Sequence, residues 1–350
     1  MFGDRERPAR VAAEQDRALR QYLRFELYAY SPFYRRHLDR AVGGPPRLRG
    51  RADLATVPPV SLEEITDPAA VVLTPDEDSV VRFGGRGLAA RVTVGRLTGR
   101  PGPVSRQHLD PVYKPLLWLV DGPLPVACTS EDLDRMAELG RRWLEAAGLA
   151  ADDTIVSILP TGAGLPFWQL HLGARRAGVS LVHLGPRASH AALARWAPEV
   201  VVGREAELAR LCATAGEGGD GLRSAHTLIA VGRRPGAEEP DDPLAGFLTG
   251  RARAVLGAWA PPGARALWAQ CRGGTGVHTW PAAELVEVLP EDSARPVPPG
   301  AAGELVWTSL AWKGSAFLRL RTGVAGRVDP RPCEVCARTT PRVIAEPAPS

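Results

Sequence analysis

Long apolar runs are missing from this chain. Leu116-Leu-Trp-Leu-Val120, among the longest, is bounded by Lys114 and Asp121, far short of the ~20 residues that a helix needs to cross a bilayer. Met1 to Arg10 is charged and lacks the apolar segment of a secretory signal, so a cytoplasmic chain with no membrane partner is expected. A basic stripe interleaved with aromatics is missing too. The net charge is +4, but arginines alternate with acids, as in Asp134-Arg135 and Glu138 with Arg142. That pattern reads as a solvated surface and removes nucleic acid from the expected partners. Lysine is scarce, with Lys114 and Lys313 the only two in 350 residues.

What is present describes an ordinary globular protein, 45% hydrophobic and 23% charged, with nine tryptophans. Its length exceeds the ~250 to 300 residues at which one core stops growing, so a large domain with sub-lobes is expected. No internal repeat is found. Residues from Pro8 to about Leu38 read as helix with a break at Ser31-Pro32. Ser61, with Glu64 three residues on, reads as the capping box of a short helix. Ser79 to Val104 alternates apolar residues with arginine and glycine, which predicts strands joined by glycine turns.

From Ser130 the pattern changes to alternating helices and strands. With Ser130 as N-cap, Leu133, Met136, Ala137, Trp143, Leu144 and Ala147 share one helical face that Gly148 closes. Apolar runs at 154–159, 179–184, 199–202 and 227–231 alternate with helices at 166–177, 189–196 and 205–213. This spacing predicts right-handed crossovers and a mainly parallel sheet. After Pro261 the helices give out, and Glu284–Leu289, 304–308, Phe317–Leu320 and 326–328 read as antiparallel strands.

Cys271 precedes His278 by seven residues, and Cys333-Glu-Val-Cys336 follows. Four such ligands from two loops would close a tetrahedral structural zinc site with no position open for water. A redox pair at Cys333 and Cys336 and unrelated buried thiols are the alternatives. Gly273-Gly-Thr-Gly276, between two of the proposed ligands, reads as a metal-binding turn. Cys128 and Cys212 read as core residues.

Gly303-Glu304-Leu305-Val306-Trp307-Thr308, Arg321-Thr322-Gly323-Val324 and Cys333 to Thr339, with Ser31 to Leu38 near the start, together resemble AMP-forming acyl- and aryl-CoA ligases, specifically the phenylacetate-CoA ligase branch. The resemblance covers nearly the whole chain. It implies an α/β adenylate-forming large domain over residues 1–344: a helical segment (1–60), a β-rich segment (61–130), an α/β subdomain (131–260) and an antiparallel lobe with the zinc site (261–344), then a tail (345–350). The small C-terminal catalytic domain of the relatives is expected to be absent. In that branch a similar Cys and His precede a Cys pair, which supports joining Cys271, His278, Cys333 and Cys336. Phe167, Trp168 and His171 match the region that lines the acyl pocket.

The same resemblance exposes departures. The loop that cradles ATP phosphates needs close backbone N–H groups and hydroxyls. Residues 118–127 stand there and read Trp-Leu-Val-Asp-Gly-Pro-Leu-Pro-Val-Ala, with no hydroxyl, two prolines that donate nothing and an aspartate. Arg321, Thr322 and Gly323 match a nucleotide-binding phrase, but Val324 replaces the aspartate that accepts from ribose. No Tyr-Gly-x-Thr/Ser-Glu phrase precedes Cys271, and neither lysine is placed to serve in adenylation. The expectation is a degenerate, weakly active or inactive ligase homologue that binds a small acid, an acyl thioester or a partner protein. Two alternatives remain: a ligase using ATP, magnesium and CoA whose C-terminal domain comes from another chain, or a scaffold subunit. His183, His190 and His226 receive no role.

Overall fold

The computed structural model describes residues 3–83, 85–98, 108–162, 164–214, 220–234, 242–248 and 253–346. They fall into two compact units, one of 1–134 with 281–324 and one of 135–280 with 325–350.

The first unit begins with helix α1 (Pro8–Tyr22), which passes through a π-helical turn at Leu23–Leu27 into α2 (Tyr28–Tyr30). Ser31 interrupts the run as expected: it is extended, and its hydroxyl accepts from the Tyr34 N–H to start α3 (Pro32–Val42). Proline at the first position of α3 lacks an N–H that would have had no partner there in any case. Ser61 does not open a helix. Its N–H donates to the Glu64 carboxylate at 2.8 Å, so half of a capping box forms, but the chain makes only a turn.

The strands expected over Ser79 to Val104 are a larger miss. Within the described residues this region holds α4 (Glu77–Phe83) and α5 (Arg86–Leu97); residues 99–104 lie outside them. Asp76 and Ser79 cap α4 reciprocally, at 2.6 and 3.0 Å. Arg96 on α5 then bonds Glu77 and Asp78 of the first turn of α4. The apolar alternation reflected a mostly exposed helix pair, where no buried face imposes a period. After α6 (Asp110–Tyr113), strands β1 (Leu117–Leu119) and β2 (Val126–Cys128) pair antiparallel.

Helix α7 (Ser130–Ala146) follows, and its cap lies one residue earlier than expected. The Thr129 N–H donates to Asp132 Oδ2 at 3.0 Å, and the Asp132 N–H points back to Thr129 Oγ1 at 3.4 Å. The second unit then runs as the sequence spacing predicts: β3 (Thr154–Ser157), α8 (Leu165–Ala177), β4 (Ser180–His183), α9 (His190–Ala194), β5 (Val200–Arg204), α10 (Glu205–Ala213) and β6 (Thr227–Val231), and a fifth strand that the spacing did not announce follows, β7 (Ala254–Trp259). The five strands are parallel in the order β4-β3-β5-β6-β7. Their core includes Val156, Ile158, Val201, Leu208 and Leu228. Beyond β7 the sheet turns antiparallel through β8 (Trp268–Ala269) and β9 (Val277–His278).

The chain returns to the first unit with β10 (Glu284–Leu289) and β11 (Gly303–Ser309), which pair antiparallel. The strand expected at Phe317–Leu320 does not form. Arg319 adopts φ +50, and one strand, β12 (Leu320–Asp329), begins only after it and absorbs the strand expected at 326–328. The guanidinium of Arg319 explains the bend. It is fully buried and bonds Glu287 through two nitrogens at 3.0 Å, and also the carbonyls of Leu54, Val57 and Ala294. Finally, β13 (Arg342–Ala345) pairs with the end of β12 and with β9.

Candidate metal centre and pocket residues

Cys271 sits in the turn that follows β8, where the Gly274 N–H donates to the Cys271 carbonyl at 3.0 Å. A side chain at Gly274 would lie 2.4 Å from Cys271 Sγ, so only glycine lets the turn wrap the sulfur. A matching turn carries Cys333 and Cys336. The Cys333 N–H donates to the Arg338 carbonyl at 2.8 Å, and Ala337 returns a bond to the Cys333 carbonyl. His278 arrives from β9, which β13 holds in register through Arg342↔His278.

The four donor atoms, three thiol sulfurs and one imidazole nitrogen, all lie within 4.8 Å of one another. This Cys3His group could hold a metal ion such as zinc. Cys271 Sγ and Cys333 Sγ are 3.7 Å apart. Tetrahedral zinc at a Zn–S distance of 2.3 Å would separate two sulfurs by about 3.8 Å. Cys336 Sγ stands 3.3 Å from His278 Nε2, and the other ring nitrogen, Nδ1, lies 3.0 Å from Thr340 Oγ1. A hydrogen bond at Nδ1 orients the ring and leaves Nε2 for a metal. Burial lowers the His278 pKa to about 4, which keeps the imidazole neutral as a ligand must be. Burial also raises Cys271 to about 12, a cost that a bound cation would offset by favouring the thiolate.

Phe167, Trp168 and His171, on α8, do come together. The rings of Phe167 and Trp168 meet edge on at 5.5 Å, and those of Phe167 and His171 stack at 6.0 Å. The structure adds His183 from β4, 4.8 Å from Phe167 and 5.6 Å from His171. Both ring nitrogens of His183 and the indole nitrogen of Trp168 are buried without a hydrogen-bond partner among the described residues. Burial, followed by the neighbouring His171, lowers the His183 pKa. Its involvement was not legible in sequence, because strand pairing rather than spacing brings it to α8.

Arg321, Thr322 and Gly323 lie at the start of β12 and are engaged within the first unit. Arg321 bonds Glu304, the Gly323 N–H donates to the same carboxylate at 3.0 Å, and Thr322 Oγ1 donates to the Leu305 carbonyl at 2.7 Å. Val324 is buried. Residues 118–127 form most of the β1–β2 hairpin, where the Ala127 N–H donates to Ser315 Oγ at 2.9 Å. Lys313 bonds Glu26 at 2.6 Å.

No protein-family model and no curated protein sequence matches the chain with significance. Solved structures do. A 2-hydroxyisobutyryl-CoA ligase in the postadenylation state, in complex with R3-HIB-AMP, superposes with a TM-score of 0.71 at 20% identity, over 99% of this chain and 72% of the other. An open conformation of that ligase with 2-HIB-AMP and CoA gives 0.69 at 19% identity, over 98% and 74%. The chain has the adenylate-forming enzyme fold. In the second unit of this chain, five parallel strands lie beside antiparallel ones. Among the described residues, no helix is long and apolar enough to cross a membrane.

Proposed function

We propose that this chain is a degenerate member of the phenylacetate-CoA ligase branch that binds a small carboxylic acid or its thioester and does not adenylate it. The observation that carries the binding reading is the set of orphaned polar atoms on the Phe167, Trp168, His171 and His183 cluster. A buried donor or acceptor with no partner costs about 1 to 3 kcal/mol, and a carboxylate, a carbonyl oxygen or a water they share would relieve that cost. The cluster lies on the helix that follows β3 and at the carboxyl end of β4, the edge strand beside β3. Open α/β sheets bind ligands beyond the carboxyl ends of their strands.

The loss of adenylation is supported by the residues that replace the nucleotide-binding groups. Residues 118–127 offer no hydroxyl to a phosphate, Val324 offers no carboxylate to a ribose, and Arg321 and Gly323 are committed to Glu304. Losing one such donor costs about 3 to 4 kcal/mol of barrier. Zinc held by Cys271, His278, Cys333 and Cys336 would act structurally, tying two cysteine turns and the end of β9 together.

The test has two arms. Acid-dependent exchange of pyrophosphate into ATP, run with aryl, hydroxy and fatty acids, is expected to stay at background. Thermal unfolding with acyl-CoA thioesters in the absence of ATP is expected to show stabilisation that depends on the acyl group. That stabilisation should be lost in Phe167→Leu and His171→Gln. Robust exchange, or stabilisation identical for CoA and every acyl-CoA, would overturn the reading.

A further inference from the structure

The first unit contains a cleft of about 530 Å³ lined by Arg24, Arg82 and Arg86 together with Phe25, Tyr28 and Phe83. This volume falls in the range of small-molecule sites, about 300 to 1,000 Å³. All three arginines are exposed, and none makes an ion pair among the described residues. One carboxylate stands against the lining, since Asp39 accepts from the Tyr28 hydroxyl at 2.8 Å, and the other acids pair with bases outside the cleft. Glu77 and Asp78, on the same helix as Arg82, are held by Arg96 at 3.2 and 2.7 Å, and Glu26 is held by Lys313 at 2.6 Å. The cleft wall therefore carries three arginines without an ion-pair partner among the described residues, against the single carboxylate of Asp39 beside Tyr28.

The guanidinium groups are also positioned. Arg24 lies over the ring of Phe25 with its Cζ 5.3 Å from the centroid, and Arg82 lies over Phe83 at 4.8 Å. Ring faces hold the planar groups and leave their N–H edges free to donate. Arg86 opens α5, which has no side-chain cap and no acid in its first turn. A cation there opposes the helix dipole, and an anion in the cleft would answer both.

We propose that this cleft binds a small phosphorylated polyanion, carrying at least two phosphate charges and of nucleotide size or less. Guanidinium forks match phosphate oxygens bidentately, and three converging forks suit linked phosphates. The proposal is independent of acid binding by the second unit, because every lining residue belongs to the first.

Isothermal titration of the full chain with ADP and with inorganic pyrophosphate, neither with added metal, tests it. One site per chain is expected, weakening as salt rises. If pyrophosphate binds as well as ADP, the phosphates alone are read; tighter ADP adds recognition of its aromatic base, and both outcomes support the cleft. Arg24→Gln, Arg82→Gln and Arg86→Gln should each weaken binding by about tenfold, with the melting temperature of the free protein unchanged. Arg295→Gln, exposed and outside the cleft lining, should bind as the wild type does. The proposal is overturned by absent saturation, by unchanged binding in the triple arginine variant, by equal weakening in Arg295→Gln, or by binding confined to RNA or anionic vesicles.

Discussion

Arg319 shows how one residue can set local structure. Its guanidinium is fully buried and meets Glu287 and three carbonyls, so the backbone bends at φ +50 to deliver it. Burial raises the Glu287 pKa while Arg319 opposes the rise. Arg319→Met should destabilise the protein by about 3 to 5 kcal/mol near neutral pH, because it strands a buried carboxylate. The sign of the pH dependence follows. Without Arg319, the folded-state pKa of Glu287 rises further above its unfolded value, so the penalty is smallest below that unfolded value. It grows as pH rises and the neutral form must ionise. Urea denaturation across pH checks this, and a penalty that stays flat with pH would contradict it. Nothing in Phe317-Leu-Arg-Leu320 announces the bend, since the acid that demands it lies on another strand.

At the scale of elements, α7 and α8 touch through glycine. A Cβ on Gly140 would stand 2.5 Å from the Gln169 carbonyl oxygen, and one on Gly173 would stand 2.6 Å from the Gly140 carbonyl carbon. Backbone is the obstacle in both cases and cannot swing aside as a side chain can. Gly140→Ala should therefore lower stability by about 1 to 3 kcal/mol despite alanine's better helix propensity. Chemical denaturation measures this, and a neutral or stabilising result would mean that the helices separate freely. The parallel strands and their crossover helices were legible because burial on both faces produces continuous apolar runs. The α4–α5 pair was not, because exposed helices carry no such imprint.

For the molecule as a whole, the proposed metal is the device with the widest reach. A small cross-link between two turns and a strand end contributes folding free energy directly. Native mass spectrometry should find one zinc per chain, absent in Cys333→Ser. Chelation should lower the melting temperature, and re-addition of zinc should restore it; a metal-free wild type of undiminished stability would argue against the centre. The order of amino acids alone was enough to read the strands and helices from Thr154 to Val231, the four candidate ligands Cys271, His278, Cys333 and Cys336, and the missing hydroxyls of residues 118–127. Each is a property of local composition or period, carried by neighbours along the chain. Folding in three dimensions was needed to bring His183 to the α8 rings, to set Glu304 against Arg321 and Gly323, and to gather Arg24, Arg82 and Arg86 around one cleft. Those facts depend on contacts between residues far apart in sequence, and no local pattern records which distant group arrives.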